Sequence, residues 1–261
     1  MQTTSTTAAD SSVKPEVAGY FMTVAAGPGV RARVSINSIP AYFISTTMPA
    51  ATGVEPVNHF LMPGRNSMTV EVELLPAAEH MSADLRRNHD HKEELARYVT
   101  TRPCDRREDA PPYGVSHMFD IRDPVSAPWL EAPPAEFGSS GTPGQRQVLK
   151  ALHGALESAD ADAFLDVLAT KFAGLRAVYG HPERLEDTFL RQRYRAAMAS
   201  GCRVEALSDD LVYQSCHDGR IACVVRRTGD FALRAKMGRA IPFRTNVYLR
   251  HDGADRWTVL W

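Results

Sequence analysis

The sequence predicts two parts in series: an all-β sandwich followed by an α+β domain. Three observations carry this. In the first part apolar and polar residues alternate with period 2, as where Met68, Val70, Val72 and Leu74 interleave with Ser67, Thr69, Glu71 and Glu73. After residue 145 the period becomes 3.6, with Val148, Leu149, Leu152, Ala155 and Leu156 on one stripe. Between the two lies Gly-Ser-Ser-Gly-Thr-Pro-Gly at 138–144, a composition that marks a linker.

Residues 1–16 are rich in Thr, Ser and Ala with little to bury, so they read as a disordered tail. The sandwich is then assigned to 17–137, the linker to 138–144 and the α+β domain to 145–261. Strands are expected at 19–26, 30–37, 39–45 and 67–75, with a loop at 46–55 and a turn at Pro63-Gly64-Arg65-Asn66. The polar stretch 77–94 reads as a solvated helix or an insertion. Strands return at 95–101 and 114–121, and the proline-rich run 124–134 is expected to anchor Trp129.

In the second part Asp160 is placed to cap a helix that buries Phe164, Leu165, Leu168, Phe172, Leu175 and Val178. Pro182 suits the first turn of a third helix, with Leu185, Phe189 and Met198 inward. Strands are expected at 203–207, 211–216, 221–227 and 231–237. In the last pair, Phe243, Thr245, Val247 and Leu249 alternate with Arg244, Asn246, Tyr248 and Arg250. A turn at 251–255 then leads to a final strand ending in Trp261.

Composition narrows the function classes. Lys and Arg number 12 against 17 Asp and Glu in residues 1–143, a net −5, and 18 against 14 in 144–261, a net +4. That is too mild for a nucleic-acid partner without a clustered patch and an aromatic stacking stripe. No apolar run approaches a membrane span, and no basic-then-apolar leader opens the chain, so the expectation is a cytoplasmic protein with no membrane partner. Cys104, Cys202, Cys216 and Cys223 lack C-x-x-C spacing and are expected as reduced thiols, with Cys223 a diagonal neighbour of Cys216 across the turn.

Two resemblances sharpen the fold. Val34-Ser35-Ile36-Asn37, together with Phe60-Leu61-Met62-Pro63-Gly64-Arg65-Asn66-Ser67-Met68-Thr69-Val70, resembles the sugar-binding-like jelly-roll domain beside the catalytic domain of β-galactosidase-type glycosidases. It covers roughly residues 30–75 and implies a jelly-roll-like sandwich, with no catalytic residue carried over. The helix, aspartate-containing turn and helix at 155–166, with 244–253 and Arg256-Trp257, resembles the NTF2-like, or SnoaL-like, α+β cone over about 145–261. That resemblance implies a curved sheet wrapped on helices, an apolar pocket at its wide end and frequent dimers, so a homodimer and a small apolar ligand join the expectations. It implies no single activity.

Isomerase-like chemistry in such a cone needs a carboxylate base opposite a phenol. Asp166 lies off the apolar stripe, and Asp160 and Asp162 are accounted for by capping. Tyr194, Tyr213 and Tyr248 are the phenols, and Tyr194, Tyr213 and Trp261 are the residues assigned to the pocket lining. His80, His89, Asp90 and His91 form the one cluster with metal-ligand chemistry, in a run charged enough to read as solvated. No metal, cofactor or catalytic residue is assigned, and H-E-x-x-H, G-x-S-x-G and G-x-x-x-x-G-K-[ST] are absent. Arg226, Arg227, Arg234, Lys236, Arg239, Arg244 and Arg250 read as the solvent side of the sheet. Arg244, Tyr248 and Arg250, on one strand face, are the candidate contacts for an acidic protein partner. The sequence thus points to a non-catalytic binding protein, a bacterial accessory or immunity-type protein engaging another protein. The alternative is a small-molecule enzyme of isomerase or dehydratase type using the cone's pocket.

Overall fold

The computed structural model describes residues 19–44, 51–74, 81–87, 93–100, 113–122, 128–180, 183–228, 231–237, 241–253 and 256–260. The tail 1–16, Cys104, the cluster at 80 and 89–91, Pro182 and Trp261 lie outside them. The described chain is mainly antiparallel β-sheet with four α-helices.

In the first half β1 (Tyr20–Ala26), β4 (Ala51–Pro56), β6 (Met81–Arg87) and β7 (Glu93–Thr100) form one sheet in the order β4-β1-β6-β7. A second sheet, β3-β2-β5-β8, is built from β2 (Val30–Ile36), β3 (Ile39–Ile44), β5 (Gly64–Leu74) and β8 (Tyr113–Ile121). Met22 and Val24 of β1, Val34 of β2, Val70 of β5 and Leu85 of β6 fill one shared core, compatible with a β-sandwich. Two expectations give way here. Part of the loop at 46–55 is β4, and the polar stretch 77–94 contains β6, paired with both β1 and β7. In β6 Met81, Ala83 and Leu85 point inward while Ser82, Asp84 and Arg86 face out. The strand period is present there beneath a charged outer face.

Three buried asparagines make the corner of this half. Asn37, at φ 52 in the two-residue turn between β2 and β3, donates from Nδ2 to the Phe60 carbonyl (2.9 Å) and to Asn66 Oδ1 (2.7 Å). Its Oδ1 accepts from the Ser67 amide at 3.0 Å. Asn66 in turn bridges Met62 and Gly64, and Asn58 Oδ1 accepts from the Tyr20 amide at 2.8 Å. The segments quoted from 34–37 and 60–70 therefore meet through their asparagine side chains, which satisfy backbone groups that have no ladder partner.

In the second half α1 (Pro143–Glu157) starts in a capping box, in which Thr142 and Gln145 bond each other's backbone amides. Asp160 caps α2 (Ala161–Val167) through the amides of Asp162 and Ala163. The long helix expected from 160 breaks at Leu168 (φ −91, ψ 6), and α3 (Ala169–Tyr179) follows. In α4 (Asp187–Ala199) Leu190 is buried and Phe189 is exposed, the reverse of the expected inward residue. Strands β9 (Cys202–Val204), β10 (Leu211–Cys216), β11 (Ile221–Arg226), β12 (Leu233–Met237), β13 (Ile241–Thr245), β14 (Val247–His251) and β15 (Trp257–Val259) form two sheets, β10-β11-β14-β15 and β13-β12-β9. The strand expected through 243–250 is thus divided at Asn246, with its two pieces in different sheets.

Both faces of β10-β11-β14-β15 are covered. Val224, Val247 and Leu249 pack with the helices, whereas Ile221, Cys223 and Tyr248 belong to the core of the first half. A sheet buried on both faces reads as a continuous apolar run, which is what Ile221–Val225 is. Cys202, Cys216 and Cys223 are free thiols, and burial pushes the Cys216 thiol up to about 11. Cys223 lies opposite Gln214, one step diagonal to Cys216, as expected.

The stretch 138–144 is fastened rather than loose. The Tyr213 amide donates to the Ser139 carbonyl at 2.9 Å, and the Ala135 amide to the Gly219 carbonyl at 3.2 Å. Gly219 sits at φ +82, where a Cβ would stand 2.5 Å from the Ala135 carbonyl oxygen. Gly219→Ala is expected to destabilise the fold by about 2 kcal/mol, from left-handed strain plus the clash. Urea denaturation should show a lower midpoint with an unchanged m-value.

Candidate functional site: a cleft between the two halves

The 3-10 turn Asn58–Phe60 of the first half is where the second half docks. Trp129, wholly buried as expected, donates from Nε1 to the His59 carbonyl at 3.0 Å. The ring of Phe60 meets Tyr248 edge-on at 6.2 Å, and the Tyr248 hydroxyl donates to the Pro40 carbonyl. Phe43 of β3 meets Phe231 at 6.5 Å. Elsewhere between the halves Arg33, paired with Glu71, reaches Gln214 of β10 at 3.1 Å.

Beside this turn the two halves leave a cleft of about 670 Å³. Its aromatic walls are Tyr42, Phe43, Phe60, Phe231 and Tyr248, and its polar lining is Glu55, His59, Lys171, Tyr179, Arg184 and Asn246. That is the size and mixture of a small-molecule site: mostly apolar, with a few polar groups converging.

His59 Nδ1 lies 2.9 Å from the Tyr179 hydroxyl. The backbone amides of Asn58 and His59 also donate to that phenol oxygen, so its single proton is directed at Nδ1 and the imidazole carries its own proton on Nε2. Burial, with Lys171 nearby, pulls His59 down to about 3, and burial holds the Tyr179 phenol far above its ordinary value. Both groups are neutral across the physiological range. Lys171, on the first turn of α3, is pulled down to about 8 by burial alone. Its side chain runs over the Phe172 ring, 6.0 Å from the centroid, and among the described residues no hydrogen bond or ion pair reaches its ammonium. Asn246, 6 % exposed at the break between β13 and β14, bonds Tyr248 through its side chain but leaves Oδ1 with no donor. Burial raises the Glu55 carboxyl at the rim.

Of the described residues assigned from sequence to partner contact or pocket lining, Tyr248 lines this cleft. The sharing of one strand face by Arg244, Tyr248 and Arg250 gives way, since Arg244 belongs to β13 and the other two to β14. Tyr248 is 6 % exposed, and Arg250 is held by Asp252 at 2.9 Å. The basic surface is likewise redistributed, with Arg226 and Arg234 both turned to Glu205. Tyr194 packs between Phe164 and Phe172, and Tyr213 lies under Gly141, whose Cβ would stand 2.7 Å from its ring; both are in the helix-side core. Asp162 and Asp166 pair with Arg191 on the outer surface of the helices. His59, Lys171 and Asn246 were not singled out. The sequence separates His59 from Lys171 by 112 residues and Lys171 from Asn246 by 75, and each sits in an element whose break or turn carries no Gly or Pro.

Among the described residues no three His, Cys, Asp or Glu side chains gather to hold a metal ion, and no helix is long and apolar enough to cross a membrane. Comparison with protein-family models, with curated proteins and with solved structures found no match to this chain.

Proposed function

We propose that this chain is a non-catalytic binding protein whose ligand is a small organic molecule held in the cleft between its two halves. The observation that carries the reading is the cleft itself, a volume of about 670 Å³ walled by aromatic rings and lined by Lys171, whose ammonium meets the Phe172 ring but no anion among the described residues. An ammonium set against aromatic walls with no anionic partner is best matched by a ligand that supplies one. The asparagine corner supports the jelly-roll-like reading of the first half, and helices covering one face of β10-β11-β14-β15 support the NTF2-like reading of the second.

The enzyme reading has one support, the Lys171 amine. A general acid or base works best with a pKa near the operating pH, and His59 and Tyr179 are both displaced away from it. The reading as an accessory or immunity-type protein that docks a protein on Arg244, Tyr248 and Arg250 has less support, given the burial of Tyr248 and the pairing of Arg250.

Ala41, half-buried on β3, lines the cleft, so Ala41→Trp fills it from the wall without touching a polar group. Native mass spectrometry of the full chain, after incubation with a small-molecule extract, is expected to show a bound mass that this variant loses. An unchanged bound mass in the variant would remove the cleft from the function.

A further inference from the structure

We infer that the ligand is an aromatic or similarly flat apolar monoanion, its acidic head on the Lys171 ammonium. This rests on the reading of the cleft as a ligand site and specifies its chemistry. The polar groups of the cleft divide into those already committed and those left open. His59 Nδ1 is committed to the Tyr179 hydroxyl, and the Tyr248 hydroxyl to Pro40. What remains inside is the Lys171 ammonium, with the Tyr42 hydroxyl and the aromatic walls around it.

Each open group selects a complement. The ammonium is a three-donor cation lacking any acceptor among the described residues, so it takes a carboxylate or sulfonate oxygen in a charge-assisted hydrogen bond. A neutral ligand leaves that cation unpaired, and a cationic ligand sets like charges together in a desolvated space. Phe43 and Phe231, edge-on to each other, and Phe60 beside Tyr248 offer faces and edges that suit a planar body. A polyanion fits poorly, because beyond Lys171 only the exposed Arg184 is cationic in the lining and Glu55 stands at the rim.

The probe pair 8-anilino-1-naphthalenesulfonate and N-phenyl-1-naphthylamine separates head from body. Both carry the same rings and the same N–H, and only the first has the anionic head. In fluorescence titrations of the full chain the sulfonate is expected to bind at least about tenfold more tightly than the neutral amine. Lys171→Met, which keeps the apolar stem and removes the charge, should abolish that preference while sparing the neutral probe. Equal binding of the two probes, or a preference that survives Lys171→Met, would overturn the anionic head and leave the cleft as the site. Binding of both probes undiminished by Ala41→Trp would overturn the cleft itself. Failure of the sulfonate to bind at millimolar concentration would overturn the inference as well.

Discussion

Asn37→Ala is expected to lower the stability of the chain by about 3 kcal/mol, among the largest effects of any single polar substitution in it. Asn37 is buried, and its amide is shared by the Phe60 carbonyl, Asn66 Oδ1 and the Ser67 amide. Truncation removes hydrogen bonds and also leaves the Phe60 carbonyl and the Ser67 amide in a dry corner without these partners. A buried unsatisfied group costs about 1–3 kcal/mol. Alanine must in addition adopt φ 52, which asparagine tolerates better. Thermal unfolding should show a drop of roughly 10 °C for a chain of this size. Asn37→Asp is expected to do no better, since a carboxylate cannot donate to Phe60 or Asn66. A loss below about 0.5 kcal/mol, the level of an ordinary surface substitution, would mean that the corner does not hold the sandwich.

The second large effect is a loss of stability in mild acid that traces to His59. Its folded value, about 3, lies below the ordinary 6.5 because burial and Lys171 disfavour the imidazolium. Between pH 6.5 and 3 the unfolded chain takes up a proton that the folded chain refuses, so stability falls as pH drops through that window. The slope is up to about 1.4 kcal/mol per pH unit. From pH 6.5 to 4.5, before most carboxylates titrate, the loss should reach about 2–3 kcal/mol. His217, also lowered by burial, adds in the same direction. His59→Phe keeps the ring contacts with Phe60 and Tyr179 and loses the acceptor for the Tyr179 hydroxyl. That variant should start about 1 kcal/mol lower at pH 7 and then show a much flatter acid limb. Identical acid limbs in chemical denaturation of the two proteins would show that His59 is not buried neutral.

Where the sequence was legible, the determinants were local. Asp160 as a cap and the register that puts Cys216 opposite Ile221 follow from residues close in the chain, whereas Trp129 is anchored on His59, 70 residues away. The Asn37 turn and Pro63-Gly64-Arg65-Asn66, quoted together from the sequence, meet through the Asn37–Asn66 bond. Strand β6 was hidden because its outer residues, Asp84 and Arg86 among them, give the segment the composition of a solvated helix although Met81, Ala83 and Leu85 keep period 2. The breaks at Leu168 and Asn246 use neither Gly nor Pro, so neither propensity nor turn chemistry marks them. The alternation read along 243–250 does not survive the break at Asn246, where Asn246, Val247, Tyr248 and Leu249 are all buried. The face carrying Tyr248 is covered by β3 of the first half, and packing between distant segments has no signature in period. The cleft was illegible for the same reason. Its lining comes from β3, β4, the Asn58–Phe60 turn, α3 and the Asn246 break, which only the tertiary fold assembles.

The most direct test of the cleft as the binding site is hydrogen–deuterium exchange of the full chain with and without 8-anilino-1-naphthalenesulfonate. Binding in the cleft predicts slowed exchange in β3, in β4 with the Asn58–Phe60 turn, in the first turns of α3 and around Asn246, with β7 and β8 unchanged. Slowed exchange confined to β7 and β8, or spread evenly over the chain, would contradict it.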